Sequence, residues 1–138
     1  MKLVVIDGQG GGVGKSIVAA IKQLAPSQRV IALGTNVQAT AAMLRAGADA
    51  GATGESAIRY QCKTADVIVG VTGILHANAM MGEISPGIAA AVSLSEGRKV
   101  LVPLERCGLS IAGVGKQPLD SLIREAARMA VEICGQNN

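Results

Sequence analysis

Phe and Trp are absent from this 138-residue chain and Tyr60 is its one aromatic residue, so its core must be assembled from Ala, Val, Ile, Leu and Met. Side chains this small suit helices packed tightly on a sheet. The missing rings also remove the platforms on which nucleic-acid bases stack. The formal charge is only +3, with Lys and Arg spread along the chain, so nucleic-acid binding is not expected. No apolar run reaches the roughly 18–20 residues of a membrane span. The apolar start Leu3 to Ile6 runs straight into glycines where a signal peptide would continue, and a cytoplasmic protein is expected. Cys62, Cys107 and Cys134 are far apart and show no C-x-x-C or His/Cys spacing, so they form no metal-site pattern. They read as buried or incidental thiols, with a reactive Cys107 beside Arg106 as the alternative.

What is present is an alternation of short β-branched runs with amphipathic stretches, in a length that suits one domain. Lys2 to Ile6 reads as a strand buried on both faces, followed by a glycine-rich turn. Ile17, Ala20, Ile21 and Leu24 then recur at helical spacing until Ala25-Pro26 ends the pattern. Arg29 to Leu33 reads as the second strand, and Gly34-Thr35-Asn36 as the turn into a helix, with Thr35 and Gln38 spaced as a capping box. That helix stops near Gly47, and Ala48 to Gly54 reads as a loop before a helical piece over Glu55 to Lys63.

Asp66 to Val71 is the third predicted strand, broken by Thr72-Gly73, with a short helix expected around Ile74 to Met81. Ser85-Pro86 offers an N-cap with proline at the first helical position of a helix running to Leu94. Lys99 to Val102 and Leu109 to Val114 read as strands four and five, and Pro118 opens a last helix with the stripe Leu119, Leu122, Ile123, Ala126, Ala130 and Ile133. The pattern predicts an α/β Rossmann-like three-layer sandwich: a mostly parallel five-stranded sheet of order 3-2-1-4-5 with helices on both faces. Ligands of such sheets sit at the carboxyl ends of the strands, where the order reverses. The helix from Gly87 to Leu94 is apolar almost all round, which suggests a homodimer contact.

The stretch Asp7-Gly-Gln-Gly-Gly-Gly-Val-Gly-Lys-Ser16 lies between a strand and a helix, where free backbone N–H groups and the helix dipole favour an anion. The dinucleotide pattern G-x-G-x-x-G fails, since its last position falls on Val13 or Lys15. The P-loop pattern G-x-x-x-x-G-K-[ST] is met by Gly14-Lys15-Ser16 but has Gln9 at its first glycine, and no strand ends in a Walker B acid. The variant G-x-x-x-G-x-G fits Gly8, Gly12 and Gly14, and over this first unit the chain resembles short-chain dehydrogenases. It lacks their Tyr-x-x-x-Lys pair, because Tyr60 and Lys63 are one residue too close. The end of the second strand carries neither an acid for an NAD ribose nor an Arg for NADP.

The expected ligand is therefore a nucleotide, dinucleotide such as NAD(P), or phosphometabolite. It would be held by Gly8, Gln9, Gly10, Gly11, Gly12, Val13, Gly14, Lys15 and Ser16, with Gly34, Thr35, Asn36, Thr72, Gly73 and Arg106 completing the site. Asn78 and Glu105 fall in the same turns. Lys15 would neutralise phosphate and Arg106 would grip an oxyanion in bidentate fashion. The single histidine, His76, is the candidate acid or base, with Glu83 and Glu55 as its candidate partners. A sensor or accessory protein, a small NAD(P)-dependent enzyme, and an interaction domain with an empty pocket are the three functional expectations.

The opening V-V-I-D-G-Q-G-G-G-V-G-K, with I-A-L-G-T-N, A-G-A-D-A-G-A-T-G-E and G-E-I-S-P further on, resembles a family of short bacterial proteins of unknown function. The resemblance covers nearly the whole chain. It implies a small bacterial protein and carries over no substrate and no catalytic residue.

Overall fold

The computed structural model describes residues 1–135. Five strands, β1 (Leu3–Asp7), β2 (Val30–Gly34), β3 (Ala50–Thr53), β4 (Val67–Val71) and β5 (Arg98–Val102), form one all-parallel sheet of order β3-β2-β1-β4-β5. The helices are α1 (Gly12–Leu24), α2 (Val37–Arg45), α3 (Glu55–Cys62), α4 (Pro86–Leu94) and α5 (Leu119–Gly135). α1 packs against both α2 and α5, and α3 packs against α4, giving a layer of helices on each face. The architecture is the Rossmann-like sandwich that the alternation predicts. No helix among the described residues is long and apolar enough to cross a membrane.

Every residue of β1 and of β4 is buried, because helices cover both faces of the central strands. Ile17, Val18 and Ile21 of α1 meet this sheet from one side, and Ile58 of α3 with Ile88 and Val92 of α4 belong to the same core. The α5 stripe is buried at Ile123, Ala126 and Ala130 and half-buried at Leu122 and Ile133; Leu119, at its first turn, is exposed. Ser85 caps α4 by accepting the Ile88 N–H, with Pro86 at the first position.

The order matches expectation, but two of the strands that fill it differ. Ala48 to Gly54 is not all loop: Ala50–Thr53 pairs with Ile31 to Gly34 as edge strand β3. The buried Thr40 hydroxyl secures it through Thr53 Oγ1 at 2.7 Å and Ala52 O at 3.4 Å. Leu109 to Val114 is no strand. It lies in the irregular stretch between β5 and α5, where Gly108, Gly113 and Gly115 all adopt positive φ. The strand beginning at Asp66 is therefore fourth in sequence and pairs directly with β1, and the strand at Lys99 holds the edge.

Two local expectations also change. The cap of α2 is Asn36, whose Oδ1 accepts the Ala39 N–H at 2.8 Å, while Thr35 turns its hydroxyl elsewhere. The helix expected over Ile74 to Met81 is one 3-10 turn, Thr72–Leu75, followed by turns in which Asn78, Met80 and Met81 are all left-handed.

Candidate functional site

The carboxyl ends of β1, β4 and β5 enclose a cavity of about 210 Å3. Its floor is the glycine-rich turn from Asp7 to Val13, one wall is Val71 to Gly73 with His76, Ala79 and Met80, and the other is Leu104, Arg106, Cys107 and Leu109. Gln9, Met80 and Cys107, one residue from each boundary, hold left-handed backbone at φ 49°, 58° and 56°. Non-glycine residues in that region are strained and cluster at functional sites. Thr72 joins two walls, its hydroxyl donating to Leu104 O at 2.9 Å and accepting from Leu104 N at 3.2 Å.

The turn's main-chain N–H groups divide into two sets. Gly8 and Gly14 both donate to the Asp7 carboxylate, at 2.8 and 2.6 Å; Gln9 donates to Glu83 Oε1 at 2.8 Å; Gly11 and Lys15 donate to carbonyls within the turn. Those of Gly10, Gly12 and Val13 find no acceptor among the described residues. All three residues line the cavity. A Cβ on Gly10 or Gly12 would meet nothing within 4 Å, whereas one on Gly14 would lie 2.7 Å from Asp7 Cβ and one on Gly11 2.9 Å from Ala39 Cα. Two glycines thus leave the backbone open, and two permit packing.

A family model for a domain of unknown function, DUF3842, matches residues 2–135. The chain belongs to the DUF3842 family. No curated protein and no solved structure matches it.

Of the residues expected to bind, the DUF3842 cavity gathers Gly8 to Val13, Thr72, Gly73, His76 and Arg106. Gly14, Lys15, Ser16, Gly34, Thr35 and Asn36 do not line it. Gly14 is buried against Asp7 and Met43, and Gly34 against Thr40. Lys15 is exposed on α1, and the Ser16 hydroxyl bonds back to Gly12 O at 3.1 Å. Thr35 Oγ1 and Asn36 Nδ2 donate to Glu83 Oε1, at 2.6 and 2.9 Å. Asn78 and Glu105 also lie outside the lining.

Asp7 is the residue that sequence reading passed over. Burial pushes its carboxyl above the usual range and the nearby Glu83 charge adds to this, while the Gly14 and Gly8 N–H bonds oppose it. Its position directly before the glycines was the available signal. Glu83 behaves oppositely: the bonds from Thr35, from Gln9 N and from Asn36 hold its carboxyl below the usual range. Glu83 and Glu55 are therefore not partners of His76, since Glu55 accepts from Ser85 Oγ and Arg59. The His76 imidazole makes no hydrogen bond among the described residues. Of the cysteines, Cys62 and Cys134 are buried and Cys107 is exposed at the cavity wall.

Proposed function

We propose that this DUF3842 domain binds one compact phosphate-bearing metabolite in the cavity, as a sensor or accessory protein. The observation that carries the reading is the set of three unpartnered N–H groups at Gly10, Gly12 and Val13, at the positive end of α1, opening into a cavity that Arg106 also lines. The remaining lining is largely apolar, from Val13, Val71, Ala79, Met80, Leu104 and Leu109, which suits a small organic body attached to the anion. The volume of about 210 Å3 falls below the roughly 300–1,000 Å3 of sites for drug-sized ligands. That favours a phosphomonoester over NAD(P) or another full dinucleotide.

A thermal-shift series with inorganic phosphate, small phosphomonoesters, NAD, NADP, ATP and GTP tests this. A ligand at 100 times its Kd adds about 2.7 kcal/mol of stability. Phosphomonoesters are expected to stabilise the domain, with NAD and NADP inert. Gly12→Val, which places a side chain in the open space above the turn, should abolish that shift. Arg106→Ala should weaken binding about 10- to 100-fold, as expected for loss of one charge-assisted contact. Stabilisation by no phosphate compound, or an unchanged response in both variants, would refute the reading.

A second reading is an enzyme using His76 as acid or base, favoured by its place in the cavity wall with no side-chain partner. Under it His76→Ala abolishes turnover of the bound compound; under the first reading that variant leaves binding nearly intact. We also propose a homodimer through α4, where Leu94 is 82% exposed and Tyr60 on the adjoining α3 is 68% exposed.

A further inference from the structure

In sheets of this order a nucleotide has two places to lie at the crevice: toward β2, beside the turn after that strand, or toward β4. The cavity of this chain extends only toward β4 and β5. The β2 half is filled by the chain itself. Residues 76–84 form a closed loop, in which Asn78 N donates to Ile84 O at 2.6 Å and Ile84 N donates to Ala79 O at 3.1 Å. Ala79 and Ile84 anchor the loop in the core, and Met81 at its tip is 95% exposed.

Glu83 and Met80 project from this loop onto the glycine-rich turn. Glu83 Oε1 accepts from three donors at the ends of β1 and β2, namely Gln9 N, Thr35 Oγ1 and Asn36 Nδ2. Asn36 Nδ2 also donates to Gln9 O at 2.9 Å, tying the two turns together. Met80 Sδ and Glu83 Oε1 would lie 2.8 and 3.0 Å from a Cβ on Gly8, so the glycine turn and the loop are in close apposition. Such an arrangement engages Gln9 N, Thr35 Oγ1 and Asn36 Nδ2 within the chain, and a carboxylate there repels a phosphorylated ribose.

We infer that Glu83 is the specificity-determining residue of this fold: by clamping loop 76–84 across Gln9, Thr35 and Asn36 it closes the nucleoside half of the crevice and confines the site to a compact phosphate ligand. This rests on the phosphate reading above for the open half, but the clamp is a property of the free protein and is tested separately. The left-handed backbone of Asn78, Met80 and Met81 fits this picture, since three such residues in four positions persist only where surrounding contacts hold them.

The experiment uses the full chain, Glu83→Ala and the milder Glu83→Gln, which keeps the shape and one acceptor oxygen. Amide hydrogen exchange across residues 76–84 should accelerate at least tenfold in Glu83→Ala and about threefold in Glu83→Gln, for the loss of one charged acceptor shared by three donors. Unchanged exchange in both overturns the clamp whether or not any ligand binds. Calorimetry with inorganic phosphate and with NAD then reads selectivity. The expected result is phosphate binding to all three proteins and NAD binding gained at least tenfold in Glu83→Ala alone. NAD binding to the natural chain as tightly as phosphate, or no gain in Glu83→Ala, overturns the inference while leaving the phosphate reading intact. Failure of phosphate to bind any of the three, with accelerated exchange, sinks the phosphate reading and leaves the clamp standing.

Discussion

A Cβ built on Gly14 would stand 2.7 Å from Asp7 Cβ and 2.8 Å from Met43 Sδ, while one on Gly12, two residues earlier, would stand in open space. Gly14→Ala should therefore cost about 1–3 kcal/mol, as overpacking of a tight interior does, whereas Gly12→Ala should stay within about 0.5 kcal/mol. Urea denaturation of the two variants decides it, and equal losses would show that the turn is uniformly packed. The two carboxylates near this turn should also oppose one another in pH. Asp7 has a folded pKa above its ordinary value of 3.8, so the folded state holds its proton more tightly. Its contribution is complete below the unfolded value and is lost as pH rises through the folded one. Glu83 is held below 4.5, so its contribution is present above that value and is lost as pH falls through the folded pKa. Urea midpoints collected from pH 3 to 7 should thus show the advantage of the natural chain over Asp7→Asn shrinking as pH rises, and that over Glu83→Gln growing. Parallel trends would contradict the placement of one of them. Counting glycines located the turn, but it could not separate the glycines that open onto the cavity from those that face Asp7 and α2.

At the scale of elements, the buried strands were legible because Leu3 to Ile6, Val30 to Leu33 and Val67 to Val71 are runs of β-branched and aliphatic residues. β3 was not. Ala50-Gly-Ala-Thr53 has little strand propensity, and it is a strand because β2 offers it an edge and Thr40 ties it down. Thr40→Val should then weaken the fold by about 0.5–1.5 kcal/mol, one buried hydroxyl network's worth, and speed amide exchange in β3 more than in β1. Equal protection in the two strands would show that pairing alone suffices. The reverse error occurs at Leu109 to Val114, where apolar residues alternate but positive-φ glycines flank and interrupt the run. The stretch instead sends Leu109, beside Arg106, to the cavity wall.

Across the whole molecule, no aromatic residue builds the core; it is made from Ile, Val, Leu, Ala, Met and buried thiols, with helices covering both faces of the sheet. The α4 face left outward is where self-association is expected. Light scattering at micromolar concentration should give twice the monomer mass, and Leu94→Asp should return the chain to a monomer without loss of thermal stability. A monomeric natural chain would remove the homodimer. Sequence pattern by itself determined the alternation of strands and helices, the parallel sheet and the position of the glycine-rich turn, because those follow from local periodicity and from backbone freedom at glycine. Only the tertiary structure decided which half of the crevice stays open. That depends on Glu83, 74 residues from Gln9 in sequence yet 2.8 Å from its N–H, and no local pattern of residues encodes a contact at such separation.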